Sequence, residues 1–169
     1  CMQYAGMKTS RIMSPKLTPE EYAEAFETYI DKVESVIFMQ EESGVTTLTF
    51  QDERFPSQLK RIGSDCPPMI HCLGDMSLLA PKGNRIAIIG ARAASPSGLK
   101  KAYELGKQFA EEGNIIVSGL ALGCDKAAHE GCLDVGGRTI AIVASGLNIV
   151  YPKENDSLQQ RILETGGLI

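Results

Sequence analysis

The sequence predicts an α/β fold, in which a Rossmann-like parallel sheet has helices on both faces and a helical appendage precedes it. Two observations predict this fold. From Arg85 onward, short runs that are apolar throughout alternate with amphipathic segments of helical length. Strands that are apolar throughout are typical of a parallel sheet buried on both faces, and their alternation with helices indicates right-handed βαβ units. Before Arg85, a 3.6-residue apolar period marks the appendage.

The appendage is predicted as one helix over residues 18–44. Thr18 is a suitable N-cap, Pro19 suits the first helical position, and Glu21 completes a capping-box spacing. Apolar residues recur at helical intervals and predict a face buried in a core: Tyr22, Phe26, Tyr29, Ile30, Val33 and Ile37. Residues 1–17 lack any periodicity, and we expect them to be disordered or introduced during cloning.

Residues 45–169 are predicted to form the main domain, in which the segment 45–80 packs onto the regular α/β part that begins at Arg85. Both chain ends look cut, because the chain starts with Cys and stops as an apolar stretch begins. The predicted strands are Val45–Phe50, Met69–Leu73, Arg85–Ile89, Asn114–Val117, Thr139–Ala144 and the beginning of one at Leu168–Ile169. The predicted helices are Ser57–Ile62, Ser97–Gly113, Cys124–Val135 and Lys153–Leu163.

Composition narrows the class of protein. The chain has 169 residues, of which 43% are hydrophobic and 22% charged, as in an ordinary globular domain. No apolar run approaches the roughly 18–20 residues of a membrane span, and no signal peptide is evident, so we expect a cytoplasmic protein. The five cysteines have neither zinc nor redox spacing, which favours reduced thiols. The net charge of −4 lies in the first half, so a local basic pocket in the neutral second half is compatible with nucleic-acid binding.

Three strand-to-helix loops, residues 90–98, 118–125 and 145–152, combine glycine and serine. In a parallel sheet these loops share the carboxyl edge, where ligands bind, and the following helices offer free N–H groups to phosphates. Arg92 adds a two-pronged donor that suits phosphate oxygens. The alternatives are that the glycines only make tight turns and that Arg92 pairs with Asp125 or with a carboxylate at the end of the neighbouring strand.

Other residues near these loops allow similar pairs of interpretations. Tyr151 could stack on a base or fill a buried turn, and Lys126 and Lys153 could contact phosphate or be merely solvated. His129, one turn from Asp125, is interpreted as a structural helix residue, and His71 has no evident partner. The loops match neither GxGxxG nor GxxxxGK[ST], so we expect no nucleotide cofactor and no metal, and a binding module suits the chain better than an enzyme.

The segments that follow Phe55 resemble the DNA-processing protein A family, also called DprA or Smf. The matching segments, in family order, are Phe55–Leu59, Pro67–Asp75, IAIIGARAAS (86–95), SGLALGCDKAAHEGCL (118–133), GGRTIAIVASGLNIVYPKEN (136–155) and the final ETGGLI. The resemblance implies an extended Rossmann fold, a homodimer, single-stranded DNA binding at the strand ends, and loading of the RecA recombinase during natural transformation. The expected DNA-binding residues are Gly90, Arg92, Ser95, Ser118, Gly119, Asp125, Lys126, Gly146, Asn148, Tyr151, Lys153 and Asn155.

Two other functions fit a Rossmann-like core with glycine-rich loops. One is a nucleotide phosphoribohydrolase similar to the lysine-decarboxylase-like (LOG) group, although the PGGxGTxxE stretch of that group is not matched by Gly136-Gly137-Arg138-Thr139. The other is a sensor that binds a small nucleotide in the same pocket. Release of free base from nucleoside monophosphates would distinguish the enzyme from both binding functions.

Overall fold

The computed structural model describes residues 18–80 and 83–169, so the prediction for residues 1–17 lies outside the described residues. The helices are α1 (Pro19–Glu42), α2 (Ser57–Lys60), α3 (Pro96–Glu111), α4 (Cys124–Leu133) and α5 (Asp156–Glu164). The strands are β1 (Val45–Thr49), β2 (Met69–Leu73), β3 (Arg85–Ala87), β4 (Ile115–Ser118) and β5 (Thr139–Ala141). The predicted order of elements is therefore confirmed, and the strands that the sequence placed at Arg85 and Thr139 end earlier than expected.

The parallel sheet has the strand order β3-β4-β5, with β4 paired to both neighbours. The registers align Ile86 with Ile116 and Ile116 with Thr139. Each strand is followed by a helix, so the predicted βαβ alternation is confirmed. All three strands also end at one edge, which brings the three glycine-containing loops together.

An antiparallel ribbon of β1 and β2 extends this sheet. Leu168 forms one bridge to Ile140 of β5 and another to Gly74 just after β2. The amides of Leu73 and Ile169 donate to each other's carbonyls at 2.8 and 2.9 Å, and the Ala141 amide donates to the Leu168 carbonyl at 2.8 Å. The end of the chain thus joins the ribbon to the parallel strands, as expected from a further strand at Leu168 and from packing of segment 45–80.

The two faces of the parallel sheet are covered differently. Ile116, Thr139 and Ala141 face the layer formed by α3, α4 and α5, in two clusters of buried residues. Ile115 and Ile140 alternate to the opposite face and pack against a 3₁₀ turn at Met76–Leu79. The sequence predicts helices on both faces of the sheet. In the described residues, α-helices cover one face and a short 3₁₀ turn covers the other.

Helices α3 and α4 approach each other through two glycines. A Cβ atom at Gly106 would overlap the carbonyl of Ala128, and one at Gly131 would overlap the carbonyl of Tyr103. The two backbones are therefore in direct contact, and larger side chains at these positions would separate the helices. Near Gly131, Asp134 accepts hydrogen bonds at 2.6 Å from the Tyr103 hydroxyl and from Arg161. These two bonds hold the pKa of Asp134 below its usual range and link α3, the end of α4 and α5.

Helix α1 has the predicted start but not the predicted burial. Tyr29 and Val33, which the periodicity assigned to a core face, are 62% and 53% exposed, and Ile30 is also exposed. The predicted core face is therefore wrong over this stretch, while the side chains of Tyr22 and Phe26 lie outside the described residues. The physical reason is length: a 24-residue helix spans about 36 Å, whereas the five-residue strand β1 that it contacts spans about 17 Å.

Three further properties concern membranes, metals and thiols. Across residues 18–80 and 83–169, none of the helices combines the length and apolar character that crossing a bilayer requires. The same residues contain no group of three or more His, Cys, Asp or Glu side chains that could hold a metal ion. The four cysteines within these described residues are free thiols: Cys66, Cys72, Cys124 and Cys132.

Candidate nucleic-acid interface

The candidate site is formed by the loops after β3, β4 and β5, called here the carboxyl-edge loops. The first two interlock through glycines. A Cβ at Gly123 would overlap the carbonyls of Ala91 and Arg92, and one at Gly90 would lie 2.6 Å from the Cys124 sulfur. The Cys124 amide, at the start of α4, donates to the Ala91 carbonyl at 3.2 Å. The backbone that carries Arg92 is therefore fixed against the N-terminus of α4.

Arg92 extends into solvent from this fixed backbone. In the part of the chain that the structure describes, Arg92 makes no ion pair, so the alternative pairing with Asp125 is not formed. Arg92, Gly123 and Lys126 line one cleft of about 500 Å³. Lys126 lies 3.8 Å from Glu130, in a partly exposed pair that leaves the ammonium available to a stronger anion. The edge thus holds two cations beside the amino end of a helix.

The second loop is held from below by two buried polar side chains. Asp125 is buried, and one of its carboxylate oxygens accepts a hydrogen bond from the Gly119 amide at 3.1 Å. Leu120 has a left-handed backbone conformation with φ 55°, which costs a non-glycine residue about 1–3 kcal/mol. Asn155, which is completely buried, donates from its side-chain amide to the Leu120 carbonyl at 2.8 Å. This loop is therefore strained and is held in place by the start of α4 and by the 3₁₀ turn (Lys153–Asn155) that precedes α5.

Two predicted site residues are serines that stabilise the same edge. The Ser118 hydroxyl is buried and donates to the Ile88 carbonyl at 2.6 Å, which ties the ends of β3 and β4 together. Ser95 caps α3, because its hydroxyl accepts a hydrogen bond from the Gly98 amide at 3.2 Å. Ser118 is buried, as are Asp125 and Asn155, and these three side chains position the edge, whereas Ser95 caps α3 and stays exposed.

The third loop forms the other end of the edge. Asn148, Ile149, Val150, Lys153 and Asp156 line a second cleft of about 450 Å³. A Cβ at Gly146 would lie 2.8 Å from the Asn148 side-chain oxygen, which is the end of a flexible side chain and can rotate away. Tyr151 is 64% exposed, which rules out the alternative of a buried turn residue. Its ring, Lys153 and Asn148 are all accessible to a ligand.

Neither histidine belongs to this edge. His129 is fully buried and its Nδ1 lies 2.7 Å from the Thr139 hydroxyl, which itself donates to the Ile116 carbonyl at 2.8 Å. The hydroxyl must therefore accept from His129, which assigns the ring proton to Nδ1. Burial lowers the pKa of His129 to about 4, against a smaller opposing effect of Asp125. His71 does have a partner, since its Nδ1 lies 2.8 Å from the Thr47 hydroxyl across the antiparallel ribbon.

Sequence reasoning missed the exposed apolar side chains along the same edge. Ile89 and Ile142 continue β3 and β5 and are 78% and 65% exposed, and Leu122 and Ile149 are exposed in the loops. Apolar residues at strand ends look like core in a sequence, because periodicity does not show where the covering layer stops. Together with Tyr151 and the cations, they give the edge both apolar contact surface and positive charge.

The comparisons with known proteins agree with this geometry. The family model of DNA recombination-mediator protein A matches residues 46–169. The DNA processing protein DprA of Bacillus subtilis is 36% identical over 129 residues, which cover 76% of this chain and 43% of that protein. DprA of Streptococcus pneumoniae is 40% identical over 111 residues, covering 66% of this chain and 38% of that protein. The chain thus spans about two fifths of the length of these curated relatives.

Solved structures show the same likeness. The X-ray structure of DNA processing protein A from Streptococcus pneumoniae aligns with a TM-score of 0.74 and 32% identity, covering 92% of this chain and 52% of the other. The structure of the Helicobacter pylori protein, reported for its unique single-stranded DNA binding mode, aligns with a TM-score of 0.60 and 33% identity, covering 73% and 54%. Since the family model covers most of the chain and the relatives exceed 30% identity, this protein belongs to the DNA recombination-mediator protein A family.

Proposed function

We propose that this protein is the single-stranded DNA-binding module of a DNA-processing, recombination-mediator protein. The observation that carries the proposal is Arg92, an exposed cation without an ion-pair partner among the described residues, on a backbone fixed against the start of α4. Exposed Ile89 and Tyr151 lie on loops of the same edge. Phosphates would contact the cations, and bases would contact Tyr151 and the apolar side chains.

This combination favours single strands over duplex. In a duplex the base faces are stacked and paired, so an apolar edge gains nothing from them, whereas a single strand can turn its bases onto such a surface. The Helicobacter pylori relative supports the choice, because its structure was reported for single-stranded DNA binding and covers 73% of this chain.

Within the proposed site, the predicted residues divide into two groups. Arg92, Lys126, Asn148, Tyr151 and Lys153 are accessible and are proposed to contact the strand. Six others are proposed to shape the loops: Gly90, Ser95, Ser118, Gly119, Asp125 and Gly146. Asn155 belongs with this second group, since it is buried beneath Leu120.

The proposed action is binding without catalysis. Support comes from the two histidines, one buried beneath the helical layer and the other on the antiparallel ribbon, both away from the exposed edge. The family match gives no support to the alternative function, a nucleotide phosphoribohydrolase. Incubation with nucleoside monophosphates is expected to release no free base, and release of base would overturn this part of the proposal.

The wider roles are proposed from the family likeness. They are homodimer formation through the Rossmann-like part, loading of RecA, and action during natural transformation and competence. A cytoplasmic location is proposed as well, and the free thiols Cys72 and Cys132 suit its reducing conditions. Sedimentation at tens of micromolar tests the dimer, with a monomer as the contradicting result, and pull-down with purified RecA tests the partner.

A fluorescence-anisotropy titration tests the central proposal. The protein is titrated into labelled oligo-dT and, in parallel, into a labelled duplex of the same length at the same salt concentration. We expect tighter binding to the single strand and a binding constant that falls as salt rises, because phosphate contacts release counterions. Equal or tighter binding to the duplex would contradict the proposal.

A further inference from the structure

The cleft that contains Arg92 continues away from the carboxyl edge, between α3 and α4. Beyond Arg92 and Lys126, it is lined by Leu99, Lys100, Tyr103 and Glu130. Leu99 and Tyr103 lie one turn apart on α3, about 6 Å along the axis, so the cleft runs along the helices. This part is called here the α3–α4 groove, and none of its α3 residues was among the predicted site residues.

The groove differs in charge from the molecule as a whole. It has three cations, Arg92, Lys100 and Lys126, against the carboxylate of Glu130, in a chain whose net charge is −4. Lys100 is exposed and lies 3.7 Å from Glu104, in an i,i+4 pair that contributes little at such exposure. A phosphate could therefore replace Glu104 as the partner of Lys100 at small cost. Leu99 adds apolar surface between these cations.

We infer that the α3–α4 groove is a second subsite for single-stranded DNA, in which the strand leaves the carboxyl edge at Arg92 and continues past Lys126 toward Lys100. The inference rests on the proposed function, and it adds a direction for the strand and a residue, Lys100, that the edge loops do not include. The cleft, of about 500 Å³, is open to solvent, so an extended strand has access to it along its length. Its shared lining by Arg92 makes the groove continuous with the edge.

The structure offers a matched control for Lys100. Lys107 lies two turns further along the same helix and has the same kind of pair, 4.0 Å from Glu111, but it does not line the cleft. Lys100→Gln and Lys107→Gln remove the same charge from the same helix. A difference in oligo-dT binding between the two variants would therefore come from a contact in the groove and not from the overall charge of the protein.

Oligo-dT binding over a range of salt concentrations is the test. We expect Lys100→Gln to weaken binding by about threefold to tenfold and to reduce the salt slope by about one unit, and Lys107→Gln to leave both unchanged. Leu99→Glu, which puts a carboxylate into the groove, is expected to weaken binding further. Glu104→Gln removes the competing carboxylate and is expected to tighten binding. Thermal melting should be nearly unchanged in the Lys100, Lys107 and Glu104 variants, whose side chains are exposed. Leu99 is only 36% exposed, so its variant is expected to lose some stability, and its binding is measured well below its melting temperature.

The possible failures are distinguishable. If Lys100→Gln and Lys107→Gln weaken binding equally, general electrostatic attraction explains both and the groove is not a subsite. If Lys100→Gln binds like the parent while Arg92→Ala does not, the groove inference is wrong and the proposed function stands. If the parent protein does not bind oligo-dT, the proposed function fails, and the subsite fails with it.

Discussion

The helical layer of α3 and α4 and the carboxyl-edge loops use glycine for opposite purposes. In the layer, Gly106 and Gly131 remove side chains so that two helices touch, and the neighbouring residues are buried apolar groups. In the loops, Gly90 and Gly123 let two turns interlock while leaving Arg92 and Ile89 exposed. Close backbone packing therefore stabilises the fold in one region and fixes an accessible surface in the other.

Substitutions in the two regions should change different properties, stability in the helical layer and DNA binding at the edge. Substitutions in the layer should lower thermal and chemical stability and affect DNA binding only through unfolding. Substitutions of exposed residues on the edge should change binding and leave stability intact. Buried polar residues beneath the edge belong to both regions and should change both measurements.

The largest effect is expected from Gly106→Leu. The side chain would collide with the backbone of Ala128 and force the two helices apart, at a cost of about 3 kcal/mol in the free energy of unfolding. Urea denaturation measures this loss. Gly106→Ala sharpens the test, because alanine stabilises an ordinary helix interior by about 1 kcal/mol relative to glycine but should destabilise this one. Equal or greater stability of the alanine variant would contradict the close contact.

The stability of the layer should also depend on pH through His129. Its folded pKa is about 4 against an ordinary 6.5, so as the pH falls the unfolded chain takes up the proton first. The stabilisation is complete above about pH 6.5 and is lost progressively toward pH 4, with about 2 kcal/mol lost between about pH 7 and pH 5. Urea midpoints at the two pH values measure the loss. His129→Gln should reduce this dependence, and an unchanged slope in the variant would assign it to other groups.

Asn155→Ala should lower both stability and DNA binding, because Asn155 is buried beneath the exposed edge. It leaves the Leu120 carbonyl buried without its side-chain donor, which costs about 1–3 kcal/mol of stability. Since Leu120 is already strained, the second loop should also shift, and oligo-dT binding should weaken several-fold. Thermal melting and anisotropy, measured on the same preparation, test both effects. Loss of stability with full binding at a temperature where the variant is folded would show that the loop does not depend on Asn155.

Arg92→Ala should affect binding alone. Loss of a phosphate contact is expected to weaken oligo-dT binding by about 1–3 kcal/mol for every base sequence and to lower the salt slope by about one unit. Melting should hardly change, because Arg92 is exposed and makes no ion pair among the described residues. Arg92→Lys should restore the binding only in part, since lysine lacks the two-pronged geometry. Binding equal to the parent, or a large drop in melting temperature, would contradict this role.

The sequence by itself determined the order of the elements and the positions of the three carboxyl-edge loops. Apolar runs that alternate with amphipathic segments depend on local periodicity, and this is why the βαβ order and the three edge loops were predicted correctly. The resemblance carried by these loops also indicated the family that the match over residues 46–169 shows.

Only the tertiary structure decided which side chains are buried. Tyr29 and Val33 have the spacing of core residues, yet they are exposed because the strand beneath α1 is shorter than the helix. Asn155 and Ser118 have the chemistry of ligand contacts, yet they are buried where they hold backbone carbonyls. Local spacing fixes which side chains share one side of an element, but burial depends on what lies opposite, which distant parts of the chain supply.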